Sequence, residues 1–355
     1  MVCSAGLAAA AGSPFSPGDE NDFPREILVS GGRFHVQGIA YDREKDCMYL
    51  SFTSVFLKTD MQGRVLSSVS GINGHLGALV FDPVSRKVFA SLELKDDSIG
   101  RGISEGLGAK SYSRDESAFY VAVIDVDRLT EMDMDESAVM KRVLLSDVCR
   151  DYRASVRLED KLVEHRFACS GIDGVAIAPR PGSGEGKGRR YLYVAYGVYG
   201  DTSRSDNDYN ILLAYPLERV LAVSRQDEPV LTRAVDRYFI HTGNTTWGVQ
   251  NMAYDSENRR MLLAVYKGTK KNWPNYSLFS VDMKNKAFRA SLKGIPYMNK
   301  GLQLPVSDAW HFPWGSTGIC PLGDGLFYIS EQGIKGGDNY SRIRLYREGD
   351  PFLEF

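Results

Sequence analysis

Short apolar runs broken by polar turns recur along most of the chain. One strand-turn-strand phrase returns five times: GIAYDREKDCMYLSF (38–52), ALVFDPVSRKVFASL (78–92), GVAIAPRPGSGEGKGRRYLYVAY (174–196), NMAYDSENRRMLLAV (251–265) and GICPLGDGLFYIS (318–330). Each copy is an apolar run, a polar turn and a second alternating run, the pattern of an antiparallel hairpin. A third run follows each hairpin: FLKTDMQ, AFYVAVIDVD, YNILLAYPL, YSLFSVDM and YSRIRLYRE. A fourth follows in the first four units: RVLSSVSG, KRVLLSD, DRYFIHTG and AFRASLKG (287–294).

Four strands per unit, five units and no long helical pattern predict an all-β fold, a five-bladed β-propeller of four-stranded antiparallel blades. The fifth unit lacks an outer strand of its own. The segment REILVSGGRFH (25–35) matches VLSSVSGINGH (65–75) closely. The N-terminal strand is therefore expected to complete blade five, closing the ring and removing its open edges. Residues 25–355 then form one domain, and residues 1–24 a leader. A two-sheet sandwich would not require five matching hairpins, and a sixth blade would have to hide in 131–170, where no copy of the phrase stands.

Composition narrows the partners. The formal net charge of −2 comes with no basic stripe, which argues against nucleic acid. No apolar run reaches about 18 residues, so no membrane span is expected. The opening MVCSAGLAAAAGSPFSPGDENDF reads as the tail of a secretory signal, or as a disordered leader or cloning remnant. The expectation taken is export to a periplasm, cell surface or medium. Cys3, Cys47, Cys149, Cys169 and Cys320 are odd in number and form no CxxC pair. Buried free thiols are expected, with Cys149 and Cys169 the one pair placed to bridge a loop.

Candidate chemistry follows from the alignment of the repeats. Five residues before the YD that ends each inner strand stand Gln37, Gly77, Asp173, Gln250 and Thr317; seven before stand His35, His75, Gly171, Gly248 and Gly315. A period of two points both sets toward the centre of the ring. Trp247 and Trp314 come just ahead, at the rim. The second strands end on the same face with Glu93, Tyr196, Tyr266, Lys267 and Glu331, and Lys95, Asp201, Arg204 and Asp206 approach from loops. His35 and His75 are expected to be neighbours at one end of the channel. The bland reading is a solvated channel held by structural hydrogen bonds.

Three chemistries suit the set. Paired carboxylates cleave glycosides, and tryptophan rims stack on sugar faces. His75 or Tyr266 as a base suits an elimination. His35, His75, Asp173 and Glu93 as ligands suit a divalent metal that activates water. The catalytic candidates are Asp173, Glu93, His75 and Glu331. His35, Gln37, Tyr196, Trp247, Gln250, Tyr266, Lys267 and Trp314 are the candidates for binding a small-molecule or carbohydrate ligand. Alanine at Asp173 or Glu93 is expected to abolish turnover and leave the melting temperature nearly unchanged. A non-enzymatic binding or scaffold propeller is the rival.

Other signals are weak. GSGEGKG (182–188) lacks the spacing of a phosphate loop and reads as a flexible turn. SDND (205–208) lacks the twelve-residue calcium pattern, leaving only loop calcium near Asp206 and Asp208. Asn244, Asn275 and Asn339 start N-x-S/T triplets. His165, His241 and His311 have no motif around them. No Gly-x-Ser-x-Gly elbow appears.

The repeated hairpins over 25–348 resemble β-propellers. Three carboxylates on separate blades are similar at fold level to five-bladed glycoside hydrolases. That resemblance implies a first-strand carboxylate as base or nucleophile, the position of Asp173; Glu93 and Glu331 depart from it by lying on second strands. CSGIDG and GNTTWGVQN also look like phrases of exported bacterial propeller proteins, a resemblance that implies no activity.

Overall fold

A computed structural model describes residues 20–109, 112–184, 188–243 and 246–355, apart from the side chain of Ile99. Most of the leader, Cys3, Asn244 and the middle of GSGEGKG lie outside the described residues.

Five antiparallel blades follow one another along the chain, the first four with their strands in sequence order from the centre outward. Blade one is Gly38–Asp42, Cys47–Phe52, Val55–Asp60 and Val65–Val69. Blade two is His75–Asp82, Lys87–Leu94, Ala118–Asp125 and Met140–Leu145. Blade three is Cys169–Pro179, Arg190–Val198, Tyr209–Pro216 and Asp236–His241. Blade four is Thr246–Asp255, Arg260–Tyr266, Leu278–Asp282 and Val306–Trp310. Blade five is Ile319–Gly323, Leu326–Lys335, Asp338–Glu348 and, from the other end of the chain, Glu26–Gly32. Ile27 pairs with Ile343 and Val29 with Ser341, so the N-terminal strand closes the ring as its sequence predicts.

The second strands show why the pattern folds this way. Cys47–Phe52 is buried at every position. Alternation sends Met48 and Leu50 into the seam with blade five and Cys47 and Tyr49 into the seam with blade two. A strand sandwiched between two blades needs apolar residues on both faces, which turns an alternating run into a continuous one. The core is accordingly divided into five clusters, one in each seam between neighbouring blades.

Small residues let the inner strands meet. A side chain at Gly38 would stand 2.7 Å from Leu79 N, and one at Gly174 2.9 Å from Val249 Cγ1. At the same register blade four carries Asn251, whose Nδ2 donates to Gln37 O and Ser316 O, each at 2.8 Å. One amide thus ties blade four to blades one and five. On the opposite face the recurring Asp caps its turn: Asp42 accepts from Glu44 N at 3.1 Å, and Asp82 from Ser85 N at 3.1 Å. The next blade then grips the cap, Arg86 on Asp42 at 2.7 Å and Arg190 on Asp82.

One expectation needs correction. AFRASLKG does not form the outer strand of blade four. Phe288–Ser291 pairs with Lys300–Gln303, which runs parallel to the outer strand of blade three. Leu292 and Ile295 gain burial beside Tyr209 and Phe239 there, and Val306–Trp310 takes the outer place in blade four. The stretch 294–314 therefore holds two short strands, Lys300–Gln303 and Val306–Trp310. The connection between blades two and three holds a helix (Ser146–Arg153) and a hairpin (Ser155–Leu158 with Lys161–Glu164). All four described cysteines are free, Cys149 and Cys169 included. No helix among the described residues is long and apolar enough to cross a membrane.

Candidate functional site

His75 opens the inner strand of blade two and pairs directly with Glu93 on the second strand. Their side chains meet, His75 Nδ1 lying 3.7 Å from Glu93 Oε2. Lys95 Nζ stands 2.7 Å from the same oxygen and 3.3 Å from Asp97. The other oxygen, Oε1, accepts the Ile172 N–H of blade three at 2.6 Å. Lys95 also donates to Ser170 O at 3.2 Å. Glu93 approaches so closely that a side chain at Gly171 would meet Oε1 at 1.9 Å, and Gly171 holds φ at 128°. Both facts demand glycine there. Asp97 has a second duty, capping helix Ser98–Gly106 by accepting from Gly100 N at 2.8 Å.

Asp173 enters from the inner strand of blade three. A side chain at Gly77 would collide with Asp173 Oδ1 at 2.5 Å and Ser91 Oγ at 2.3 Å, so both oxygens fill the space that glycine leaves. Ser91 Oγ is buried with no hydrogen-bond partner among the described residues. Burial pushes the Asp173 carboxyl up to about 7; Glu93 adds to the rise, while His75, Lys95 and Gln250 oppose it. For His75 burial works downward, yet Glu93 and Asp173 overcome it and the net shift is upward. Lys95 likewise stays charged against burial because Glu93 and Asp97 face it. A carboxylic acid that titrates near neutrality, beside groups held cationic, is suited to proton transfer.

The ring of polar side chains continues around the centre. Gln37 Nε2 lies 3.3 Å from His35 Nδ1 and 3.3 Å from Thr53 Oγ1. Thr53 bonds His35 O through its hydroxyl and Leu76 N through its carbonyl, which sets His35 close to His75. Burial and the charge of His75 lower the His35 pKa, against a hydrogen bond to the Val36 backbone, which raises it. Gln250 Nε2 donates to Trp247 O at 3.2 Å. Tyr266 reaches the Asp173 field; burial first and Asp173 second push its phenol up to about 12. Trp247 and Trp314 are 49% and 37% exposed.

Two candidates stand elsewhere. Tyr196 faces the blade two–three seam, fully buried, and donates to Asp151 at 2.6 Å while Arg237 bonds both. Glu331 points opposite to Ser330, toward Tyr346 Oη at 3.3 Å and Arg344 Nε at 3.5 Å on its own blade. The period of two that aligns the inner strands does not carry over to second-strand ends, because each blade leaves the centre at its own register. Lys95, Asp97, Thr53 and Ser91 carry more of the site than repeat alignment suggests. Ser51, Ser91 and Ser330, the hydroxyls interrupting three apolar second strands, were the available signal.

Among the described residues no group of three or more His, Cys, Asp or Glu side chains is arranged to hold a metal ion. At the centre, the Lys95 ammonium takes the Glu93 oxygen that a cation would need. The same substitution occurs in the loop near Asp206. Lys270 Nζ contacts Asp208, Asn207 Oδ1 at 2.6 Å and Arg204 O at 3.1 Å, while Asp206 pairs with Arg204 at 2.9 Å. The loop-calcium expectation is corrected accordingly: a lysine supplies the charge. Asn275 Nδ2 and Asn339 Nδ2 both donate to backbone carbonyls.

No family profile matches the chain, and no curated protein matches it. Three solved structures align over 91% of it. The PQQ-bound aldose sugar dehydrogenase of Streptomyces coelicolor is 14% identical with a TM-score of 0.41, over 99% of its own chain. A putative gluconolactonase is 11% identical with a TM-score of 0.31, over 95% of its chain. The β-propeller domain of Cps50 (Swd1) from Myceliophteria thermophila is 12% identical with a TM-score of 0.36, over 99% of its chain. None of these likenesses transfers an activity. On its own geometry, the chain is a five-bladed β-propeller with a buried carboxylate, lysine and histidine cluster at the head of its central axis.

Proposed function

We propose that the chain is an acid–base enzyme acting on a carbohydrate-like ligand, by hydrolysis or elimination, with Asp173 as the proton-transferring group. The observation that supports this best is the Asp173 carboxyl, raised to about 7 beside His75 and Lys95. Protonated it serves as acid, ionised as base, and both forms exist near neutral pH. Glu93 has a different part. Both of its oxygens are engaged, so it positions His75 and Lys95 rather than attacking substrate. The two cationic groups would stabilise negative charge developing on a substrate oxygen. Paired-carboxylate displacement is the less favoured route, since it needs a second free carboxylate.

One observation favours the binding-scaffold rival: Glu93, Lys95 and Asp97 already satisfy one another. Product analysis on a panel of neutral and acidic oligosaccharides separates the two. The enzyme reading expects turnover with a pH profile inflecting near 7, lost at least about a hundredfold in Asp173→Asn. A shortened sugar marks hydrolysis, and an unsaturated, ultraviolet-absorbing one marks elimination. Binding without product, or equal turnover by Asp173→Asn, would remove the assignment.

A further inference from the structure

Blade four carries a pocket of about 360 Å³ between the end of its second strand and the segment leading into blade five. Its walls include Tyr266, Lys267, Ser277, His311, Phe312 and Ser316. The polar lining is one ammonium, one imidazole and three hydroxyls, and no carboxylate lines it. Among the described residues Lys267 makes no ion pair. Its own backbone is anchored, since Thr246 Oγ1 donates to Lys267 O at 3.1 Å.

The opposite wall is built rather than loose. Ser277 Oγ donates to Phe312 O at 2.6 Å and accepts from Phe312 N at 2.9 Å. The Tyr276 ring packs on His311 with centroids 4.8 Å apart. The volume lies at the lower end of ordinary small-ligand pockets, which start at about 300 Å³. Positive lining without a negative counterpart selects an anion. The hydroxyls suit a polyol, and Trp314, next in sequence to the pocket wall, offers a flat apolar face. Tyr266 is the shared wall: it lines this pocket and also lies within the field of Asp173.

We propose that this pocket is the anion subsite of the propeller, taking the carboxylate or phosphate of an acidic sugar on Lys267 and His311 and setting the sugar ring against Tyr266, toward Asp173. The role of the ring next to Asp173 rests on the function proposed above; the anion subsite itself does not.

Calorimetry on the full chain with glucuronate, glucose 6-phosphate and glucose tests it. At least one acidic sugar should bind about tenfold or more tightly than glucose, and the tighter acid names the anion. That preference should shrink as salt rises. Lys267→Ala should weaken acid binding about tenfold, Lys267→Arg should restore most of it, and glucose binding should be unmoved. Equal affinity for glucose and both acids, no binding of either acid, or indifference to Lys267→Ala would overturn the subsite. Turnover by the unmutated chain separates the two readings. Acid binding by an unmutated chain that forms no product removes the enzyme and leaves the subsite. Turnover of acidic sugars untouched by Lys267→Ala removes the subsite and leaves the enzyme.

Discussion

Glu93 accepts a backbone N–H from the next blade while facing Lys95 and His75, so one side chain joins seam and site. Glu93→Ala strands a buried ammonium, which costs about 3–5 kcal/mol. Urea unfolding should show that loss, against the unchanged melting temperature expected from the repeat alignment alone. A loss under about 1 kcal/mol would mean that Asp97 and Ser170 O suffice for Lys95. Asp173 makes a different prediction. In the unfolded chain it titrates near about 3.9, in the folded one at about 7. The folded state therefore holds a proton that the unfolded state releases. That contribution is whole below about pH 4 and disappears as pH rises through about 7. His75, also shifted upward, acts in the same sense. Asp173→Asn should flatten this decline, gaining on the order of 4 kcal/mol over the wild type between about pH 4 and pH 8. Parallel pH–stability curves would count against a raised Asp173.

At the scale of elements, burial on both faces explains why second strands read as unbroken apolar runs, and close approach explains why inner strands carry small residues. Gly38 tests the second point. Its added Cβ would meet backbone on blade two, at 2.7 Å and 2.9 Å, where nothing can swing aside. Gly38→Ala should cost about 1–3 kcal/mol of unfolding free energy. Gly102 is the control: it sits in helix Ser98–Gly106 with nothing within 4 Å of a Cβ. Gly102→Ala should stabilise by about 0.5–1 kcal/mol through helix propensity. If both behave alike, inner-strand packing is looser than the distances say. The AFRASLKG segment shows where pattern fails. The repeat assigns the outer strand to it and marks no strand at 306–310. Only the apolar face of blade three, waiting for Leu292 and Ile295, decided which of them joined which sheet.

The whole molecule depends on one long-range pairing. The N-terminal strand lies beside a strand more than three hundred positions later, burying Ile27 and Val29 against blade one as well. Removing residues 20–32 leaves the third strand of blade five as an open edge and uncovers that seam. The thermal midpoint should fall and the chain should self-associate in sedimentation, and a peptide spanning 20–34 added in trans should reverse both. An unchanged midpoint would show that the ring does not need its closure.

The repeat determined the architecture by itself. Blade number, the first three strands of each blade and terminal closure follow from local alternation and from the rule that no edge stays open, and both are properties of the chain read in order. The inner-strand candidates His35, Gln37, His75, Asp173 and Gln250 were legible for the same reason, since a fixed period places equivalent residues on the same axis. What the tertiary structure alone decided is which charges meet. Lys95 against Glu93, Ser91 beside Asp173, Lys270 in place of a metal, and Tyr196 turned into a seam all depend on how far neighbouring blades rotate and where each second strand ends. No periodicity encodes those quantities, because they are set by side chains packing between blades that are distant in sequence.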